Sequence, residues 1–160
     1  MISDATVAIV AAVVAAIVSL AVWWMTAHRD ERLRKRDMFA HAFAAYTSYK
    51  EFPYVVRRRR VDQPAEERQR ISAELRQIQE KLSFFLAGTR FESSRVGDAY
   101  RTLIAEARSV TGAEISRSWG RPGAETDADM LIGDIDLSGL QKGENRYMDA
   151  VAERLAWWRI

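Results

Sequence analysis

Twenty-one consecutive residues, Ala5 to Met25, contain no charge, no glycine and no proline. As a helix rising ~1.5 Å per residue, they reach roughly 31 Å, the thickness of a bilayer's hydrocarbon core. A run of this kind serves either as a cleaved export signal or as a permanent anchor. An export signal needs a basic start, a shorter apolar stretch and small residues before the cut. "MISDA" has no Lys or Arg, and the apolar run is too long. Ser19-Leu20-Ala21 resembles a cleavage triplet, but a cut there would leave Arg29, Arg32, Arg34, Lys35 and Arg36 beside a new N-terminus. The reading is an uncleaved transmembrane helix over residues 5–26, with 1–4 external.

The charge distribution sets the expected orientation. Residues 28–81 hold 14 Lys/Arg against 9 Asp/Glu, whereas residues 82–160 hold 10 against 12. The basic excess therefore follows the apolar run directly. By the positive-inside rule, residues 27–160 lie in the cytoplasm and the protein sits in an inner membrane. Trp23 and Trp24 end the span where aromatic rings favour the headgroup region. With Arg29, Arg32, Arg34, Lys35 and Arg36 they form the expected membrane interface, facing anionic lipid at about 1 kcal/mol per basic side chain. Ala8, Ala12 and Ala16 recur every four residues, a small-xxx-small face through which two spans can approach as a homodimer or meet a membrane-protein partner. The Ala- and Arg-rich usage suits a GC-rich bacterial genome.

Beyond the span the periodicity is helical throughout. Met38, Ala42, Ala45, Tyr49 and Phe52 recur at spacings of 4, 3, 4, 3, with Phe39, Phe43 and Tyr46 alongside. This predicts a helix over about 28–52 that continues the span and ends near Pro53. Ile71, Leu75, Ile78, Leu82 and Phe85 form a second seam, on a helix over 64–87 begun by Pro64 and capped by Asp62 or Gln63. Pairs four apart, Glu66/Arg70, Arg70/Glu74 and Arg76/Glu80, line its solvent side. Gly88 reads as the helix end, and Thr89 with Glu92 as a capping box for a third helix over 90–119. Val96, Tyr100, Leu103, Ala107 and Val110 form the facing seam. Residues 120–143 are rich in glycine and read as a long acidic loop, with an extended piece at "MLIGDIDL". A last helix covers 144–160. The expected fold is all-α: a transmembrane helix continuing into a cytoplasmic antiparallel bundle of about four helices, with some coiled-coil character. An up-down arrangement places the Gly88–Arg90 turn near the bilayer and the acidic loop at the far end.

Candidate chemistry is sparse. Arg57, Arg58, Arg59 and Arg60 form a polycationic run that can take a nucleic acid, another polyanion or a protein partner. No aromatic platform accompanies it, and the favoured reading is a solvated run or one paired with the acidic loop. Asp127, Asp129, Asp134 and Asp136 form two D-x-D pairs, a weak divalent-metal signal that departs from an EF-hand at Leu131 and Ile132. With no cysteine, disulfides and Cys-based zinc sites are excluded. His28 and His41 make neither a zinc motif nor an acid–base pair, and no phosphate-loop, dinucleotide or nucleophile-elbow pattern occurs. Trp119, Trp157 and Trp158 read as core anchors or interface residues. The expectation is a non-enzymatic, single-pass interaction protein without a cofactor: a scaffold, accessory subunit or regulator. A membrane-tethered nucleic-acid binder and a metal-dependent enzyme are the alternatives.

Overall fold

The computed structural model describes residues 4–123, 126, 129 and 134–156, with side chains from Ala12 onward. It is helical, with no strand among the described residues. The elements are α1 (Asp4–Lys50), α2 (Phe52–Arg57), α3 (Pro64–Glu92), α4 (Ser94–Trp119) and α5 (Gln141–Ala156), which follows a single 3-10 turn at Ser138–Leu140. The chain divides into two compact units, Met1–Asp37 and Met38–Ile160.

The first unit is the early part of α1. It belongs to one helix long and apolar enough to cross a membrane, and none of the apolar window is buried. Val13, Val14, Ile17, Val18, Leu20 and Val22 are all exposed, so no protein surface covers this apolar stretch.

The second unit has its own core. Phe39, Ala42, Ala45, Tyr46 and Tyr49 of α1 are buried, as the 4-3 spacing implied, with Met38 and Phe43 partly so. Pro53 does not stop the chain from coiling. After a one-residue turn it occupies the first positions of α2, where its missing N–H is harmless. This short helix, not anticipated, buries Phe52 and Val56 against α4.

The α3–α4 connection differs from expectation. Gly88 stays helical, and no described residue has positive φ. Its lack of a side chain answers a close approach, since a Cβ there would lie 3.2 Å from the Met38 sulfur. Thr89 is buried and bonds back to the Leu86 carbonyl instead of capping a new helix. The break falls at Ser93, which is extended (φ −163°, ψ 121°) and whose hydroxyl accepts from the Val96 N–H at 3.4 Å. Gln63 precedes α3 but makes no side-chain cap, and Asp62 instead pairs with Arg60. Arg70 bonds Glu67 and Glu74 rather than Glu66. The last helix starts at Gln141, three residues earlier than expected.

α4 is the central element, packing against α2, α3, α5 and the 3-10 turn. It buries the predicted seam of Val96, Tyr100, Leu103 and Ala107. It also buries Gly97, Ile104, Thr111, Glu114 and Ser118, which widen that seam and carry it to the C-terminal end of the helix. Gly97 permits the tight turn from α3, because a Cβ there would sit 2.6 Å from the Arg90 Cα.

The two helical glycines give a paired prediction. Gly97→Ala meets backbone and should lose about 1–3 kcal/mol despite the better helix propensity of Ala. Gly88→Ala meets a flexible thioether and should stay within about 1 kcal/mol of wild type. Urea unfolding followed by circular dichroism separates them, and equal midpoints would contradict the packing described.

Candidate interaction surfaces

The expected membrane interface resolves into two kinds of residue. Trp23 and Trp24 are exposed, and Trp24 meets the His28 ring edge-on at 4.3 Å. Arg29, Arg32, Arg34 and Arg36 are exposed on the turns that follow. Lys35 is not: it is 8% exposed and bonds Glu31 at 2.7 Å, one turn back. Of the small face, Ala12 and Ala16 are exposed, and the Ala8 side chain lies outside the described residues.

The arginine run is divided by its backbone. Arg57 ends α2, Arg58 follows it, and Arg59 and Arg60 lie beyond the helix. Arg59 turns inward. Its guanidinium donates to the carbonyls of Val56 (3.0 Å), Ser118 (2.9 Å), Trp119 (3.4 Å) and Arg121, and lies 5.0 Å from the Trp119 ring centre. It thereby closes the C-terminal end of α4, where carbonyls lack helical partners and the dipole favours a cation. Arg60 pairs with Asp62, and its backbone N–H reaches Glu67. Arg57 and Arg58 make no ion pair among the described residues. The four cations therefore do not share one face.

The acidic segment is held locally. Asp134 pairs with Arg121, Asp136 accepts from the Ser138 N–H, and Asp129 accepts from Thr126. No three His, Asp or Glu side chains converge as a metal site among the described residues. Asp127 lies outside those residues, as do Trp157, Trp158 and the first half of the expected extended piece, 130–133; the second half of that piece, 134–137, is not a strand. The segment does meet the arginine run, but through backbone. A Cβ on Gly123 would stand 2.7 Å from the Arg59 carbonyl and 2.8 Å from Val61.

A polar cluster absent from the sequence reading joins α1 to α5. Glu144 accepts from the Tyr46 hydroxyl and the Lys50 ammonium, both at 2.8 Å. Burial alone would raise the Glu144 carboxyl, but those donors and the Lys50 charge outweigh it and hold the group below its ordinary value of 4.5. Burial first, then the bond to Glu144, lifts the Tyr46 phenol well above the usual tyrosine range. No sequence signal pointed here, because the partners lie 94 and 98 residues apart.

A groove of about 530 Å³ runs between α1 and α3, lined by His41, Ser48, Gln77, Lys81, Phe84 and Phe85 among others. His41 stacks on Phe85 at 6.3 Å, so it serves this aromatic wall.

The chain matches no protein-family model, no curated protein and no solved structure. Function therefore rests on these surfaces alone.

Two predictions follow from the charges. Arg59→Ala strips several carbonyls at the end of α4 of their donor and should cost about 1.5–3 kcal/mol, while Arg58→Ala should stay within about 0.5 kcal/mol. Arg59→Lys should not rescue, since one ammonium cannot span the carbonyls that the planar fork reaches. Thermal melts of the three variants decide this. For Glu144 the folded value lies below the unfolded one, so its stabilisation is complete above about pH 4.5 and is lost as pH falls through the folded value. Glu144→Gln should be less stable at neutral pH and lose less on acidification. Parallel acid denaturation curves for the two proteins would contradict the assignment.

Proposed function

We propose that this is a single-pass membrane-anchored interaction protein. The observation that carries the reading is the early part of α1: an uninterrupted apolar helix, exposed from Ala12 to Ala27, in a chain whose second unit builds a separate core. An apolar surface of this extent is unstable in water and stable in hydrocarbon. In this reading the span is inserted in an inner membrane with its N-terminus outside. Arg29, Arg32, Arg34 and Arg36 then face anionic headgroups on the cytoplasmic side. Residues Met38–Ile160 form a cytoplasmic antiparallel bundle, an arrangement supported by the one-residue break between α3 and α4.

The role is scaffold, accessory subunit or regulator. The inward use of Arg59 and the pairing of Arg60 weigh against a polyanion site on Arg57–Arg60. The local pairing of Asp129, Asp134 and Asp136 gives no support to a metal-dependent reaction.

The test is in native membranes. The full chain should resist alkaline extraction, and a reporter fused after Ile160 should be active on the cytoplasmic side alone. Cross-linking should capture a specific partner or a second copy. Extraction by carbonate would remove the anchor, an exported reporter would reverse the orientation, and a monomer with no cross-linked partner would remove the scaffold role.

A further inference from the structure

Phe84 and Phe91 are 71% and 91% exposed, the most exposed large apolar side chains of the described residues. They lie seven residues apart on α3, so they share one face about 10.5 Å apart. That face is not the heptad seam, whose Ile71, Ile78 and Leu82 are buried. Phe84 rests edge-on against Phe85 with ring centres 5.2 Å apart, which props its ring outward beside the groove.

The charges around the rings carry a small basic excess. From Glu80 to Arg95 there are three basic residues and two acidic, Glu80 and Glu92, and Glu80 lies one turn from Phe84. Arg95 pairs with Glu153. Lys81 and Arg90 are exposed and make no ion pair among the described residues. The start of the Arg90 side chain packs over Gly97, which fixes it next to Phe91.

We propose that this edge of α3 docks the helical unit onto an anionic bilayer surface. Phe84 and Phe91 enter the boundary between headgroups and acyl chains, and Lys81 and Arg90 meet lipid phosphates. Exposed aromatics flanked by cations match such an interface. A second copy fits less well, because a dry contact would desolvate Glu80, Lys81 and Arg90, whereas at a bilayer surface their charged ends stay hydrated. The inference rests on the proposed anchor, which makes docking an intramolecular event and lets a weak surface affinity suffice.

The absence of cysteine gives a clean test. The full chain carrying Phe84→Cys, Phe91→Cys or, as reference, Ser72→Cys is labelled with an environment-sensitive fluorophore. It is reconstituted into vesicles of phosphatidylcholine with or without phosphatidylglycerol, and spin-labelled lipid serves as quencher. Quenching is expected at positions 84 and 91 in the anionic vesicles and not at 72. Lys81→Ala with Arg90→Ala should lower the docked-to-undocked ratio roughly thirtyfold, from the attraction per cation near a charged surface. Labels at 84 and 91 as accessible to water as the one at 72 would overturn the proposal. So would quenching indifferent to phosphatidylglycerol and to the double variant, or lipid-independent contact between labels on two copies. Flotation is measured on the same samples: a chain that floats without quenching overturns docking alone, and one that does not float overturns the anchor beneath it.

Discussion

Two buried phenols hold the helical unit together. Tyr100 of α4 donates to the Ala42 carbonyl at 2.7 Å, and Tyr147 of α5 donates to the Phe39 carbonyl at 2.9 Å. Both acceptors are on α1, one turn apart. The rings of Tyr100 and Tyr147 lie 5.3 Å apart, and Phe43 stacks on Tyr147 at 6.0 Å. Each phenol thus sets the rotation of its own helix against the same stretch of α1. A buried hydroxyl left without its acceptor costs more than the bond itself contributes, so this constraint penalises any other register. Burial also pushes both phenols well above the usual tyrosine range, keeping them protonated donors at any moderate pH.

Some of the charged groups serve the same end. Glu144 ties α5 to α1 through Tyr46 and Lys50, and Arg59 ties the α2 exit to the end of α4. Glu67 and Glu114 are buried and each pairs with an arginine three residues on. Most cations still face outward, and only a few, Arg59 among them, are turned to this use. Lys81 and Arg90 differ in lying beside the exposed rings of Phe84 and Phe91.

Much of the fold was legible because helical periodicity is local. The seams on α1, α3 and α4 each returned their main buried residues, since an apolar residue every 3.5 positions has one stable use in water. The turn chemistry misled at the α3–α4 connection. Gly88-Thr89-Arg90 reads as a break, but these residues stay helical, with Gly88 close to Met38, and the chain breaks at Ser93. The rest of the buried surface of α4 was hidden for a related reason. Gly97, Thr111, Glu114 and Ser118 are small or polar, and only tertiary packing, such as Arg90 of α3 over Gly97, makes them buried.

The candidate surfaces were less legible than the core. A run of four arginines looks uniform in a sequence, yet its members end a helix, close another helix, pair with an aspartate, or face solvent, depending on where α2 stops. What the sequence alone determined was the apolar run, the basic stretch after it and the helical seams, all properties of spacing along one chain. Tertiary structure decided which phenols reach which carbonyls, which arginine turns inward and which phenylalanines are left outside the core. Those outcomes depend on residues tens of positions apart meeting in space, and no local pattern records them.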